Sequence, residues 1–316
     1  MNTHLDPIPL TNILATTNQP ELQWLIPNLL PQGLTLLLGQ PRLGKSWLAL
    51  HLALSIALGD PILDHFPTPQ ANVLYLGLQD TPRRISIRTR KLLGDHPTPN
   101  TFFWSNQWTP SQTDNLHDLN AWLIEHPNTR LLVIDSLDQL HRPGLTTEQE
   151  LALLHQLKAL SDRHQLAILI VHQLSAKACR DPLNELTHTP TLAAADALLI
   201  LKRNRGQADA TLQLTGTDLP EQELALQLPQ DSMRWTLLGP AADYRLSQER
   251  QDILAVLQEY DGGPLRPKEI ATLLHKDVRA VTKLLFDMSH AAQLCLTGRG
   301  QYMLAKNDDK TEEHRM

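Results

Sequence analysis

Eight consecutive residues constrain this chain more than any other feature. Gly39-Gln40-Pro41-Arg42-Leu43-Gly44-Lys45-Ser46 fits the pattern GxxxxGK[ST] in full, between an apolar run at 34–38 and a second at 46–57. A buried strand that turns through glycines into a helix gathers several backbone N–H groups around one point. The helix N-terminus adds partial positive charge at the same place. Such a loop cradles phosphates: Lys45 reaches the β- and γ-phosphates and the Ser46 hydroxyl ligates Mg²⁺. Residues Gly39, Gln40, Pro41, Arg42, Leu43, Gly44, Lys45 and Ser46, with Trp47 beside them, are the candidate nucleotide contacts, and ATP with Mg²⁺ is the implied ligand.

The rest of the chain is read around that loop. Apolar runs at 34–38, 72–78, 101–104, 131–134, 167–171 and 197–201 read as strands. Segments 46–57, 81–93, 116–125 and 147–164 between them read as helices, the second with a basic face. Near-continuous apolar strands spaced by helices predict an α/β fold, a mainly parallel sheet covered on both faces. Segments 210–215, 224–228 and 233–237 alternate instead and are joined by short polar turns, which predicts an antiparallel extension at one edge. A break follows at Gly239-Pro240-Ala241-Ala242-Asp243. Beyond it, helices at 247–260, 267–274 and 277–291 and a hairpin at 295–304 follow the winged-helix pattern. The expected organisation is an N-terminal segment, 1–32, packing on a core of 33–239, then a winged-helix domain of 245–305 and a polar, disordered tail of 306–316.

A net charge of −6 gives no global sign of a nucleic-acid partner, so any such role needs a local basic patch. Cys179 and Cys295 stand far apart and share no metal-ligand spacing with any His, so neither a disulfide nor a metal site is expected. The N-terminus lacks a basic stretch followed by an apolar core, and no apolar run nears the roughly 20 residues of a membrane span. The expected compartment is the cytoplasm.

Asp135 is the second candidate. It ends the run 131–134, where an acid faces the crevice in which α/β folds bind ligands. There it would hold Mg²⁺ through water; the alternative is an Asp that caps a turn.

With these motifs in place, the chain resembles the RecA-like ATPases of the plasmid RepA replicative-helicase group, often described as AAA-family ATPases. The likeness runs from Trp24, Pro27, Pro31 and Gly33 through residues 39–48, 73–76, Thr81-Pro82-Arg83-Arg84, Val133-Ile134-Asp135, Val171-His172-Gln173, Ala195-Asp196 and 206–211 to the winged helix. It implies a RecA-like core and a homo-oligomeric ring, usually of six subunits, with ATP between neighbours and DNA in or near the centre. It also implies that His172 and Gln173, at a strand end, face the γ-phosphate or couple it to DNA-binding loops, a capped turn being the alternative, and that the polar stretch 175–191, with Lys177 and Arg180, contacts DNA. Two positions depart from the family pattern. Gln79 stands where the water-activating Glu is expected, and an amide orients water without taking its proton. Asp80 is adjacent, but neighbouring strand residues point to opposite faces, so it serves only if the strand end is bent. Thr217 stands where an arginine reaching the neighbour's γ-phosphate is expected; Arg203 and Arg205 are the substitutes, and a solvated loop is the alternative.

In the winged-helix unit the third helix carries Arg279, Thr282 and Lys283, with Arg299 at the hairpin tip and Lys268 and Lys276 nearby. Such side chains suit a DNA groove. Glu269, Asp277 and Asp287 offset them, and a protein-interaction module is the alternative. Two functions follow: an ATP-driven, helicase-like motor on DNA in the replication of a plasmid, phage or other mobile element, or an ATP-dependent DNA-binding or assembly protein that hydrolyses slowly. A recombination or repair role ranks behind both, because of the winged helix.

Overall fold

Leucine- and isoleucine-rich strands without alternation are buried on both sides only where helices cover both faces of their sheet. The computed structural model has that arrangement. It describes residue 11 and residues 23–108, 113–136, 147–174, 194–202, 209–216, 219–260, 263–290, 293–297 and 300–304. In chain order the first unit holds β1 (Trp24–Ile26), β2 (Leu30–Pro31), β3 (Gly33–Gly39), α1 (Lys45–Leu58), β4 (Asn72–Gly77), α2 (Pro82–Leu93), β5 (Phe102–Ser105), α3 (Thr113–Glu125), β6 (Thr129–Asp135), α4 (Thr147–His164), β7 (Ala167–Gln173), β8 (Ala197–Lys202), β9 (Asp209–Gly216), β10 (Leu219–Gln227) and β11 (Thr236–Pro240).

The main sheet runs β11-β10-β9-β8-β3-β7-β6-β4-β5. Pairs from β8 through β3 to β5 are parallel, and β8, β9, β10 and β11 pair antiparallel. The strand bearing the phosphate loop therefore lies mid-sheet, flanked by β7 and β8. Its pleat divides the core: Leu37 packs into one apolar layer with Leu48, Leu52, Ile56 and Ile85, and Leu36 and Leu38 pack into the other with Leu119, Leu123, Leu154 and Leu157. The β1–β2 hairpin adds Leu25, Ile26, Leu29 and Leu30 to the first layer.

Helix α1 is buried almost all round, as a helix without a polar face must be. It carries one ionisable group into the core. His51 is 2 % exposed, and neither ring nitrogen has a hydrogen-bond partner. Burial, then the nearby Arg234 charge, pushes its pKa down to about 3. Because that value lies below the unfolded one, the unfolded chain takes up the proton first. His51 therefore costs nothing above pH 6.5 and destabilises the fold progressively as pH falls towards 3. Between pH 7 and pH 5 the expected loss is about 2 kcal/mol. Urea unfolding at the two pH values checks this: His51→Leu should remove that share of the pH dependence, and an unchanged dependence would refute it.

Two of the boundaries that differ from the sequence reading do so for identifiable reasons. β4 stops at Gly77 instead of 78, because the Asp80 N–H bonds back to the Gly77 carbonyl at 3.0 Å and closes a tight turn. β11 lies at Thr236–Pro240 instead of 233–237, because residues before it pack onto the phosphate loop. The break read at 239–243 holds the boundary between two compact units, at Pro240 and Ala241.

The chain divides into two compact units, Met1–Pro240 and Ala241–Met316. The second holds α5 (Ala241–Glu259), α6 (Pro267–Leu273), α7 (Val278–His290), β12 (Leu294–Leu296) and β13 (Tyr302–Leu304). Ile253, Leu257, Ile270, Val281, Leu285, Met288, Leu294 and Tyr302 form its own core, and β12 pairs antiparallel with β13. Glu269 caps α6 by accepting the Arg266 N–H at 2.7 Å. Among the described residues no helix is long and apolar enough to cross a membrane.

Candidate nucleotide site

The loop between β3 and α1 closes on itself. Gly44 caps α1 at φ 92°, a conformation that only glycine adopts cheaply. Gly39 is needed for space: a Cβ there would lie 2.6 Å from the Leu201 carbonyl oxygen. Lys45 is buried, 6 % exposed, and its ammonium donates to the carbonyls of Gly39 and Gln40, each at 2.8 Å. The cation is thus stored inside the loop that would receive phosphate.

At the tip of β6, Asp135 accepts the Ser46 hydroxyl at 3.2 Å and the Tyr75 hydroxyl at 2.7 Å. Burial raises the Asp135 pKa, opposed by these two hydrogen bonds. Burial and the neighbouring Asp135 charge likewise push the Tyr75 phenol well above its ordinary value, so it keeps the proton it donates to Asp135. A buried carboxylate facing a hydroxyl is a hard-oxygen pair of the kind Mg²⁺ takes, with its waters completing the shell. The residues present fit the metal.

These groups open on a cavity of about 450 Å³. Arg42, Leu43, Gly44, Lys45, Ser46 and Trp47 line it, with Gln79, Asp80, Arg84, Arg88, Asp135, Ser136 and Gln173 opposite. Four cations against two carboxylates favour a polyanionic ligand. Gln79 and Asp80 both reach the cavity, because the turn after Gly77 replaces strand geometry and supplies the bent strand end that Asp80 required. Their roles differ. The Gln79 amide donates to Ser136 Oγ at 3.3 Å. Asp80, 4 % exposed at its side chain, is held by Arg88 at 3.1 Å through both oxygens and by Arg84 at 3.7 Å. Arg88 also lies over the Trp47 ring, 5.6 Å from its centroid.

Such a loop and strand-tip acid recur across many ATPases, and the family comparison narrows them. A family model described as an AAA domain matches residues 4–178, more than half of the chain. The chain belongs to the AAA domain family. The match holds the phosphate loop, Asp135 and β1 through β7, so this AAA-domain chain is a nucleotide-binding ATPase of the P-loop kind. No curated protein matches it.

Gln173 stands in the cavity wall of this AAA domain, paired in register with Gly39, whereas His172 does not line it. Successive strand residues face opposite sides, so Gln173 is the member of the pair that the fold brings to the cavity. Lys177, Arg180, Arg203, Arg205, Thr217, Arg299, Cys179 and the tail 306–316 lie outside the described residues. In the second unit Arg279, Thr282 and Lys283 are exposed along α7. Lys276 is not an open cation: its ammonium sits 3.4 Å from Glu249 and 3.3 Å from Asp252.

Sequence reasoning missed Tyr75, Ser136, Arg84 and Arg88 as parts of the site. Tyr75 is the one hydroxyl in the apolar strand β4, which was a usable signal. The basic face of α2 was legible, but nothing in its periodicity says that the first turns face the cavity.

Proposed function

We propose that this chain is a RecA-like ATPase of the RepA helicase group that binds Mg²⁺–ATP on Gly39–Ser46 and works on DNA, with slow hydrolysis in the isolated chain. The observation that carries the reading is the constellation of Lys45, Ser46, Asp135 and Tyr75 on one cavity, beside Gln79 and an Asp80 already paired with arginines. Lys45 and the loop N–H groups would hold the β- and γ-phosphates, and Ser46 and Asp135 would hold Mg²⁺. The metal supplies neutralisation of charge on the β- and γ-oxygens. Gln79 and Gln173 would orient the attacking water. Neither takes its proton, and Asp80 serves as base only if Arg84 and Arg88 let go.

The family likeness supports a homo-oligomeric, six-membered ring, with Arg203 or Arg205 reaching a neighbour's nucleotide and Lys177 and Arg180 reaching single-stranded DNA. Three helices and a hairpin in the second unit support a winged helix that uses Arg279, Lys283 and Arg299 on duplex DNA. Replication of a plasmid, phage or other mobile element is the setting this suits. Gln79 specifically favours a second reading, an ATP-dependent DNA-binding or assembly protein in which hydrolysis only resets the complex.

Phosphate release by the full chain, with and without single-stranded DNA, tests the proposal. A slow basal rate that DNA raises about tenfold or more is expected of a motor. A slow rate that DNA leaves alone, with ATP-dependent DNA binding intact, selects the second reading. Absence of any link between ATP and DNA binding sinks both.

A further inference from the structure

The connection between β10 and β11 carries Trp235, which is 0 % exposed and 191 residues from the glycine it touches. Its indole N–H donates to the Gly44 carbonyl at 3.2 Å. That oxygen also accepts the Leu48 N–H at 3.0 Å, the first bond of α1. The ring packs on the same residue: a Cβ on Gly44 would meet Trp235 Cζ2 at 3.1 Å and Leu228 Cδ2 at 3.3 Å. The connection is itself tied down. Lys91 Nζ donates to the Gln230 carbonyl at 2.8 Å, and the Leu237 N–H donates to the Leu63 carbonyl at 3.1 Å.

A trans peptide is planar, with its carbonyl and its N–H on opposite sides. Whatever holds the Gly44 carbonyl therefore also aims the Lys45 N–H, one of the loop donors that meet phosphate. Gly44 needs such a hold, because its φ of 92° sits where glycine moves freely. We propose that Trp235 is a positioning residue of the phosphate loop: through the Gly44 carbonyl its indole N–H fixes the Gly44–Lys45 peptide plane in the orientation that receives phosphate. The inference rests on the reading of Gly39–Ser46 as a nucleotide loop and adds the residue that sets its geometry from the far end of the sheet.

Trp235→Phe keeps an aromatic ring and removes the donor. Gly44 O retains the Leu48 N–H, so no buried acceptor is orphaned and the stability cost stays small. Leu226→Ala, in the same apolar layer and paired in register with Ala210 and Leu237, removes buried volume and serves as the packing control. The measurement is the Kd of a fluorescent ATP analogue and of its ADP counterpart, with the melting temperature of each variant. Trp235→Phe should bind both nucleotides about tenfold more weakly, the size of one lost hydrogen bond's worth of alignment. Leu226→Ala should melt lower yet bind as the unmodified chain does. Equal affinity in Trp235→Phe and the unmodified chain would overturn the proposal. So would affinity that falls in step with melting temperature across both variants, since Trp235 would then be packing alone. If the unmodified chain binds neither nucleotide, the loop reading fails and takes this inference with it.

Discussion

Lys45→Ala should weaken ATP binding about 100-fold while leaving the chain folded. The Lys45 ammonium is stored on the carbonyls of Gly39 and Gln40 at 2.8 Å, within a loop whose other donors are backbone N–H groups. On binding it would exchange two neutral acceptors for charged phosphate oxygens. Hydrogen bonds to charged groups contribute about 1.5–3 kcal/mol, and two of them in a site that excludes water account for a change of that order. The variant loses a pair of internal hydrogen bonds and one buried charge, two effects that oppose each other in stability. A melting curve close to that of the unmodified chain is therefore expected, with the loss confined to calorimetric titration of ATP. An unchanged Kd would mean that the nucleotide binds elsewhere.

Gln79→Glu is the second large effect, and it is a gain. The Gln79 side chain already sits in the cavity wall, within hydrogen-bond reach of Ser136. An amide there positions water; a carboxylate there also accepts its proton. General-base catalysis is worth 10²- to 10⁴-fold, so phosphate release should rise about 100-fold with little change in ATP affinity. The reason for expecting a deficit in the first place is Asp80. It is the other carboxylate besides Asp135 in the cavity wall, and Arg88 and Arg84 hold it. If Gln79→Glu brings no gain while the unmodified chain turns over briskly, Asp80 is released in the working complex and acts as base itself.

How much of this was legible beforehand differs by residue. The phosphate loop was, because glycine spacing, an apolar strand before it and an apolar helix after it are all local signals. Asp135 was, because a strand tip in an α/β fold is a defined place. The parallel core and the antiparallel edge followed from the apolar runs and from the change of patterning after β8, whereas the order of the strands, set by contacts distant in sequence, did not. Gln79 was legible as a site residue, and Asp80 only on the condition of a bent strand end, which the turn after Gly77 supplies. The pair His172–Gln173 was legible as a strand end, but which of the two faces the cavity was not, since that depends on the pleat of β7. Arg88 belongs to a basic helix face in sequence and to an Asp80–Trp47 cluster in space, which only folding reveals. Trp235 lay beyond reach altogether, since nothing local marks a tryptophan as the partner of a glycine 191 residues earlier.

The proposal is that this chain holds Mg²⁺–ATP and cleaves it slowly because, among the described residues, both carboxylates of the cavity are already engaged. The most direct test is a single turnover without DNA: excess protein is mixed with radiolabelled ATP and Mg²⁺, quenched at intervals, and the bound nucleotide is identified. In the unmodified chain the nucleotide should be bound and remain mostly ATP over minutes; in Gln79→Glu it should become ADP within seconds. Rapid conversion by the unmodified chain, or no bound nucleotide at all, would contradict it.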